Sequence, residues 1–266
     1  MSRPVPPALD SATILLIRDG SAGLSVFMVE RHRRIDFATG ALVFPGGKVD
    51  PGDREPSLRA RCAGAADCDN DALTLRVAAI RETFEEAGVL LARARGEREL
   101  VNAERLAELE ARHREDLEKD RIGMGAFAEA EDLELACDLL VPFAHWITPT
   151  FMPKRFDTWF FLVAAPVDHV ALHDGRESVD SVWTTPADAL AAADRGERTI
   201  IFPTLMNLKK LGRHATTREA LAAARREPVV TVFPRIEKSA SGRVVRIPPE
   251  AGYGVSEMPV EEMMRG

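Results

Sequence analysis

The 266-residue chain contains three cysteines, one tyrosine and three tryptophans, and no apolar run long enough to cross a bilayer. Its strongest candidates, WFFLVAAPV and CDLLVPFAHWI, are interrupted by Pro, Asp or His well short of the roughly 20 apolar residues that a spanning helix needs. The N-terminal MSRPVPPALDS has no apolar centre of the kind found in secretory leaders, so a soluble, cytoplasmic protein is expected. Three cysteines are too few and too odd in number for a disulfide framework. Cys62 and Cys68 have no second pair at zinc-ligand spacing, which leaves free thiols. Positive charge is also scarce: 35 Lys and Arg face 42 Asp and Glu, a net charge of −7. Nucleic-acid binding depends on a basic surface that neutralises phosphates, so general affinity for DNA or RNA is excluded. An anionic small molecule must instead be met locally, by arginines, lysines or bound cations.

The residues that are present suit one globular domain over 1–266, since 45% are hydrophobic and no long linker divides them. ATILLIRDG and LSVFMVERH read as two strands joined through the loop Asp19 to Gly23, and GALVF as a third. PGGKVDPGD carries too much Pro and Gly for regular structure, and 54–72 is small, polar and patternless, an inserted loop. From Leu73 the apolar residues Val77, Ile80 and Phe84 follow at helical spacing, with Gly88 as the stop. Residues 97–135 read as a helical insertion. Its charged part, 97–121, pairs Glu108 with Arg112, Glu110 with Arg114 and Glu115 with Lys119 at four-residue spacing, which suits a solvated helix or one that pairs with a partner such as a second protomer. ELACDLLVPFAHWIT should pass from helix to strand, and RFDTWFFLVAAP and ESVDSVWTT are strands. Pro186 opens one helix, PTLMNLKKLG is another, and Thr216 with Glu219 forms a capping box for a third. Residues 228–266 form a C-terminal extension in which PVVTVFPRIEK and GRVVRIP make a hairpin.

The chemistry concentrates in RETFEEAG, Arg81 to Gly88. Glu82, Glu85 and Glu86 share an arc of about 100° opposite the apolar stripe. A solvated face normally interleaves cations, yet Glu82 and Glu86 are a like-charge pair one turn apart, which costs a few tenths of a kcal/mol. Ala78 and Ala79 leave room beside the acids. Clustered carboxylates with space beside them suit a hard divalent cation, which takes oxygen ligands.

PGGKVDPGD followed by RETFEEAGV resembles the signature of the Nudix hydrolases, Gly-x5-Glu-x7-Arg-Glu-U-x-Glu-Glu-x-Gly-U with U a bulky apolar residue. Arg81, Glu82, Glu85, Glu86, Gly88 and Val89 match its second half and Gly47 its first; Thr83 stands at a U position and Asp53 replaces the usual Glu. Twenty-seven residues separate Asp53 from Arg81 instead of seven, so 54–72 splits the signature. The split, with GALVFPGG and HWITPTFMPKRFDTWFF, resembles the subgroup containing peroxisomal coenzyme A diphosphatases. The resemblance implies an α/β fold, the Nudix α/β/α sandwich with a mixed sheet. It implies that Glu82, Glu85, Glu86 and the Gly47 carbonyl hold Mg²⁺ or Mn²⁺, while Arg81 orients the acids. Cleavage of the pyrophosphate linkage in CoA or acyl-CoA is the implied reaction, with ADP-ribose, NADH and dinucleoside polyphosphates as alternative substrates. Lys154 and Arg155 are expected to face phosphates, and Glu86 or Glu177 to serve as the base. The competing class is a non-catalytic Nudix nucleotide sensor; such members usually lose an acid, and this chain keeps all three.

Overall fold

The computed structural model describes residues 5–31, 40–169, 178–239 and 242–263. Glu177, a candidate base, lies outside them. The first two strands, β1 (Ala8–Gly20) and β2 (Gly23–Arg31), form the expected hairpin around Ser21 and Ala22. Next come β3 (Leu42–Val43) and β4 (Gly46–Lys48). PGGKVDPGD is therefore not wholly irregular: Gly46 and Gly47 pair antiparallel with Thr13 and Ala12, a backbone ladder that needs no side-chain pattern. Residues 54–72 are not a structureless loop either. Pro51 and Pro56 start two short 3₁₀ turns, a third spans Ala65–Asp67, and Leu58 is buried beneath them.

The helix α1 (Asn70–Ala87) starts where the Asp69 side chain accepts from Ala72 N–H, and ends at Gly88 in the left-handed conformation. After β5 (Ala92–Ala94), the insertion holds α2 (Ala103–Leu109), a π-helical turn Glu110–Arg114, α3 (Glu115–Glu118) and α4 (Met124–Ala130). The three expected charge pairs form, but the segment is not a freely solvated helix, because Leu106, Leu109 and Leu117 are buried. ELACDLL forms no helix beyond a 3₁₀ turn at Cys137–Leu139; it begins with β6 (Leu133–Leu135), paired to β5, and leads into β7 (Val141–Ile147).

Then follow β8 (Arg155–Ala164), β9 (Ser178–Thr184), α5 (Pro186–Asp194), α6 (Phe202–Leu211) and α7 (Thr217–Arg226). The Thr216 cap is present, its hydroxyl accepting from Glu219 N–H. Pro234 splits PVVTVFPRIEK: β10 (Thr231–Val232) joins the main sheet, while β11 (Arg235–Ser239), β12 (Gly242–Arg246) and β13 (Glu257–Pro259) make a separate three-stranded sheet, larger than the expected hairpin.

The main sheet runs β10-β7-β8-β1-β2-β3, with β4 against β1 and β9 against β2. It is mixed, since β8 lies parallel to β1 over ten residue pairs, Ala8↔Arg155 to Ile17↔Ala164, while β7 pairs antiparallel with β8. Alternation along β1 and β8 divides two cores. Ile14, Leu16, Phe161 and Val163 face α1 and the insertion; Leu15, Ile17, Phe160 and Leu162 face α6, α7 and the C-terminal sheet. This is an α/β/α sandwich with a mixed sheet.

Candidate active site

A cavity of about 740 Å³ opens where β1, β4, α1, β7, β8 and α6 meet. Its walls include Glu82, Glu85 and Glu86, the lysines Lys48 and Lys154, and the aromatic rings of Trp146, Phe160 and Phe202. Trp146 and Phe202 meet edge to face at 5.5 Å between ring centroids.

Arg81 organises the acidic cluster. It is buried, and its guanidinium grips Asp53 at 3.0 and 2.9 Å, the Lys48 carbonyl at 2.8 Å, Glu82 at 3.0 Å and Glu85 at 3.2 Å. Burial works against its charge, but the bonds to Asp53 and the nearby Glu82 and Glu85 outweigh that, and its pKa is held above the ordinary value. Asp53, at the usual Glu position, also accepts from Asp50 N–H at 2.8 Å. The short Asp thus ties the glycine loop to α1 across the 54–72 insertion, and the two halves of the split signature meet in space. Glu86 is anchored separately, accepting from Gly46 N–H at 2.9 Å.

Glu85 carries the tension. Its Oε1 is buried without a hydrogen-bond partner. Burial foremost raises its pKa, Arg81 opposes, and Glu82 adds to the rise, so the carboxyl is pushed up to about 8. Gly47 lies hard against the same acids: a Cβ there would meet Glu82 Oε1 at 2.4 Å, so only glycine lets the backbone come this close. An orphaned carboxylate oxygen and two further carboxylates on the same cavity wall form an all-oxygen donor set that fits Mg²⁺ or Mn²⁺. Among the described residues no three acidic, histidine or cysteine side chains converge as a ready-made cage. The reason is visible in the partners: Glu82 and Glu85 are drawn to Arg81, and Glu86 to Gly46. Mg²⁺ is ordinarily held by one or two carboxylates plus waters and substrate phosphates, which needs no closed cage.

Of the expected phosphate contacts, Lys154 is exposed and lines the cavity. Arg155 is not among the lining residues. Its guanidinium is committed to the Thr148 carbonyl at 3.0 Å and the Pro6 carbonyl at 2.8 Å, bracing the start of β8. Sequence reasoning missed Lys48, whose place beside Gly47 was its only signal, and Glu118 and Asp120, which reach the cavity from the insertion. Beyond the cavity, the three cysteines are free thiols, with Cys62 and Cys137 buried. Among the described residues no helix is long and apolar enough to cross a membrane.

The chain is similar to the acyl-coenzyme A diphosphatase NUDT19 of Xenopus laevis, 24% identical over 216 residues, covering 65% of this chain and 56% of the relative. It is similar to a putative nudix hydrolase 7 of Caenorhabditis elegans, 27% identical over 186 residues, covering 70% of this chain and 55% of the relative. The chain therefore spans little more than half the length of these curated relatives. A crystal structure of a NUDIX hydrolase from Alicyclobacillus acidocaldarius superposes with a TM-score of 0.67 at 30% identity, covering 82% of this chain and 97% of that one. The family model of the NUDT19 Nudix domain matches residues 54–211, which include Arg81, all three glutamates and Gly88. With that match over more than half its length, the chain belongs to the NUDT19 Nudix domain family of Nudix hydrolases.

Proposed function

We propose that this chain is a divalent-metal-dependent hydrolase that cleaves the pyrophosphate linkage of a nucleoside diphosphate derivative. The substrate is CoA or an acyl-CoA, and the products are 3′,5′-ADP and a 4′-phosphopantetheine, acylated or free. The observation that carries this reading is the cavity whose walls combine two characters, charged groups in three carboxylates and two lysines, and aromatic rings. Its volume suits a small-molecule site, about 300–1,000 Å³. The substrate has the same two characters, a diphosphate and long, less polar arms. The name of the Xenopus relative supports the choice of CoA.

Glu82, Glu85, Glu86 and the Gly47 carbonyl would hold Mg²⁺ or Mn²⁺. When bound, such an ion neutralises the diphosphate and lowers the pKa of a coordinated water. The chain's own residues set the geometry. Arg81 fixes Glu82 and Glu85, and the Gly46 N–H fixes Glu86. Lys48 and Lys154 meet the phosphate oxygens at the cavity wall. Water attacks one phosphorus, the bridging P–O bond breaks, and the departing phosphate leaves as an anion while the water's proton passes to a carboxylate, for which Glu86 is the candidate.

The test is chromatographic product analysis with Mg²⁺ over CoA, acyl-CoAs, ADP-ribose, NADH and diadenosine polyphosphates, run beside Glu86→Gln. CoA species should turn over best, and the variant should lose more than the about 10–100-fold typical of outer-shell partners of a metal. Preference for another diphosphate would overturn the CoA assignment, and equal rates in variant and wild type would remove the metal-site assignment. Binding without turnover of any substrate would favour a nucleotide sensor.

A further inference from the structure

The last turn of α1 leaves the Glu85 main-chain carbonyl among those without a helical partner. Gly88 N–H bonds back to Phe84 at 3.0 Å, and Val89 N–H to Thr83 at 3.4 Å. The Val89 N–H that would have served Glu85 in a continuing helix is thereby diverted. The Glu85 carbonyl is met instead by Arg114, whose Nε and Nη2 donate to it at 3.0 and 2.7 Å. A guanidinium at a helix C-terminus also opposes the negative end of the helix dipole.

Arg114 is itself held. Its Nη1 donates to Glu110 at 2.9 Å, and its Nε lies 3.4 Å from Glu118, a residue that lines the cavity. The π-helical turn Glu110–Arg114 shifts the helical phase at this point. Behind it, Glu131 ties Arg105, Arg112 and His113 together, and Phe127 stacks on Phe84 of α1 at 5.8 Å. Gly88 records the same contact from the other side: a Cβ there would stand 2.5 Å from Glu110 Oε1 and 3.0 Å from Arg114 Nη1, in addition to the strain of its φ of 63°. The glycine that ends the signature thus makes room for the insertion.

We propose that the insertion is part of the catalytic apparatus and that Arg114 is a positioning residue, holding the Glu85 turn of α1 through its main-chain carbonyl so that the carboxylates face the cavity. This rests on the metal-binding reading above. The experiment uses the full chain as wild type, Arg114→Gln, Arg114→Lys and Glu86→Gln. It measures Mn²⁺ binding by electron paramagnetic resonance of the free ion, the Mg²⁺ concentration for half-maximal activity, substrate KM and melting temperature. Arg114→Gln should weaken Mn²⁺ binding and raise the half-activating Mg²⁺ by about tenfold, the scale of a lost outer-shell partner. Substrate KM at saturating Mg²⁺ should stay within about twofold of wild type. Lysine, which keeps the charge but not the two-pronged grip on one carbonyl, should recover part of the loss. If Arg114→Gln does not fold, the Mn²⁺ affinity of Arg114→Lys relative to wild type decides. Wild-type Mn²⁺ affinity in the folded Arg114 variants would overturn the proposal alone; absence of Mn²⁺ binding by wild type, or binding unchanged in Glu86→Gln, would overturn the metal site beneath it.

Discussion

Neutralising Glu85 should stabilise the protein at alkaline pH in the absence of divalent cations and, in the proposed metal site, remove one ligand. The folded chain holds this carboxyl near a pKa of about 8, against an ordinary value of 4.5, chiefly because it is buried. Between those values the folded state binds more protons than the unfolded one, so stability must fall as pH rises from about 4.5 to about 8 and then level off. Below that window both states are protonated and the effect vanishes. At about 1.4 kcal/mol per pH unit, the interval sets a ceiling near 5 kcal/mol. Arg81 lies 3.2 Å away and can follow the charge, so roughly half the ceiling is expected, about 2–3 kcal/mol. For a chain of this size that corresponds to about 5–10 °C in Tm. Thermal unfolding in EDTA from pH 5 to 9 should show a wild-type decline that Glu85→Gln lacks. Mg²⁺ at pH 8.5 should restore wild type and leave the variant unmoved. Parallel profiles for the two proteins would refute the reasoning.

Two further substitutions separate geometry from stability. Gly47→Ala places a methyl group against the Glu82 carboxylate, the movable end of a side chain, so Tm should change by less than about 2 °C while turnover falls by about 100-fold, as for small displacements of reacting groups; unchanged turnover would show that this approach has no catalytic role. Tyr253→Phe removes a buried hydroxyl that accepts from Trp146 Nε1 at 2.8 Å and donates to Asn207 Oδ1 at 2.8 Å. Leaving those groups unpaired should cost about 1–3 kcal/mol in urea unfolding, with a shift in tryptophan emission; a variant as stable as wild type would mean that the network is not needed.

Much of the acidic cluster was legible because its signal is local. Leu73, Val77, Ile80 and Phe84 set the helical phase, and the charges of Glu82, Glu85 and Glu86 stand out against it. Asp53 was recognisable as a stand-in only by its place in the signature; its salt bridge to Arg81 depends on how 54–72 coils, which no periodicity reveals. β4 was hidden because two glycines give no side-chain alternation, although their backbone groups pair normally. The insertion misled for the opposite reason. Its Glu and Arg pairs at four-residue spacing look like solvent-facing decoration, yet Arg114 spends its other two donor nitrogens on Glu85 of a different helix. A contact between residues 29 positions apart leaves no trace in local charge pattern. Arg155 misled in the same way, its charge being consumed by main-chain carbonyls.

The pairing of β1 with β8 sets the tempo at which the chain can mature during synthesis. Ala8 finds its neighbour Arg155 only after some 147 further residues have been made, and at roughly 5–20 residues per second that delay is about 7–30 s. Through that interval the first hairpin would expose one bare, largely aliphatic flank to whatever else the ribosome is producing. The strand that will sit mid-sheet in the finished protein thus waits longest for its parallel neighbour while the polypeptide emerges.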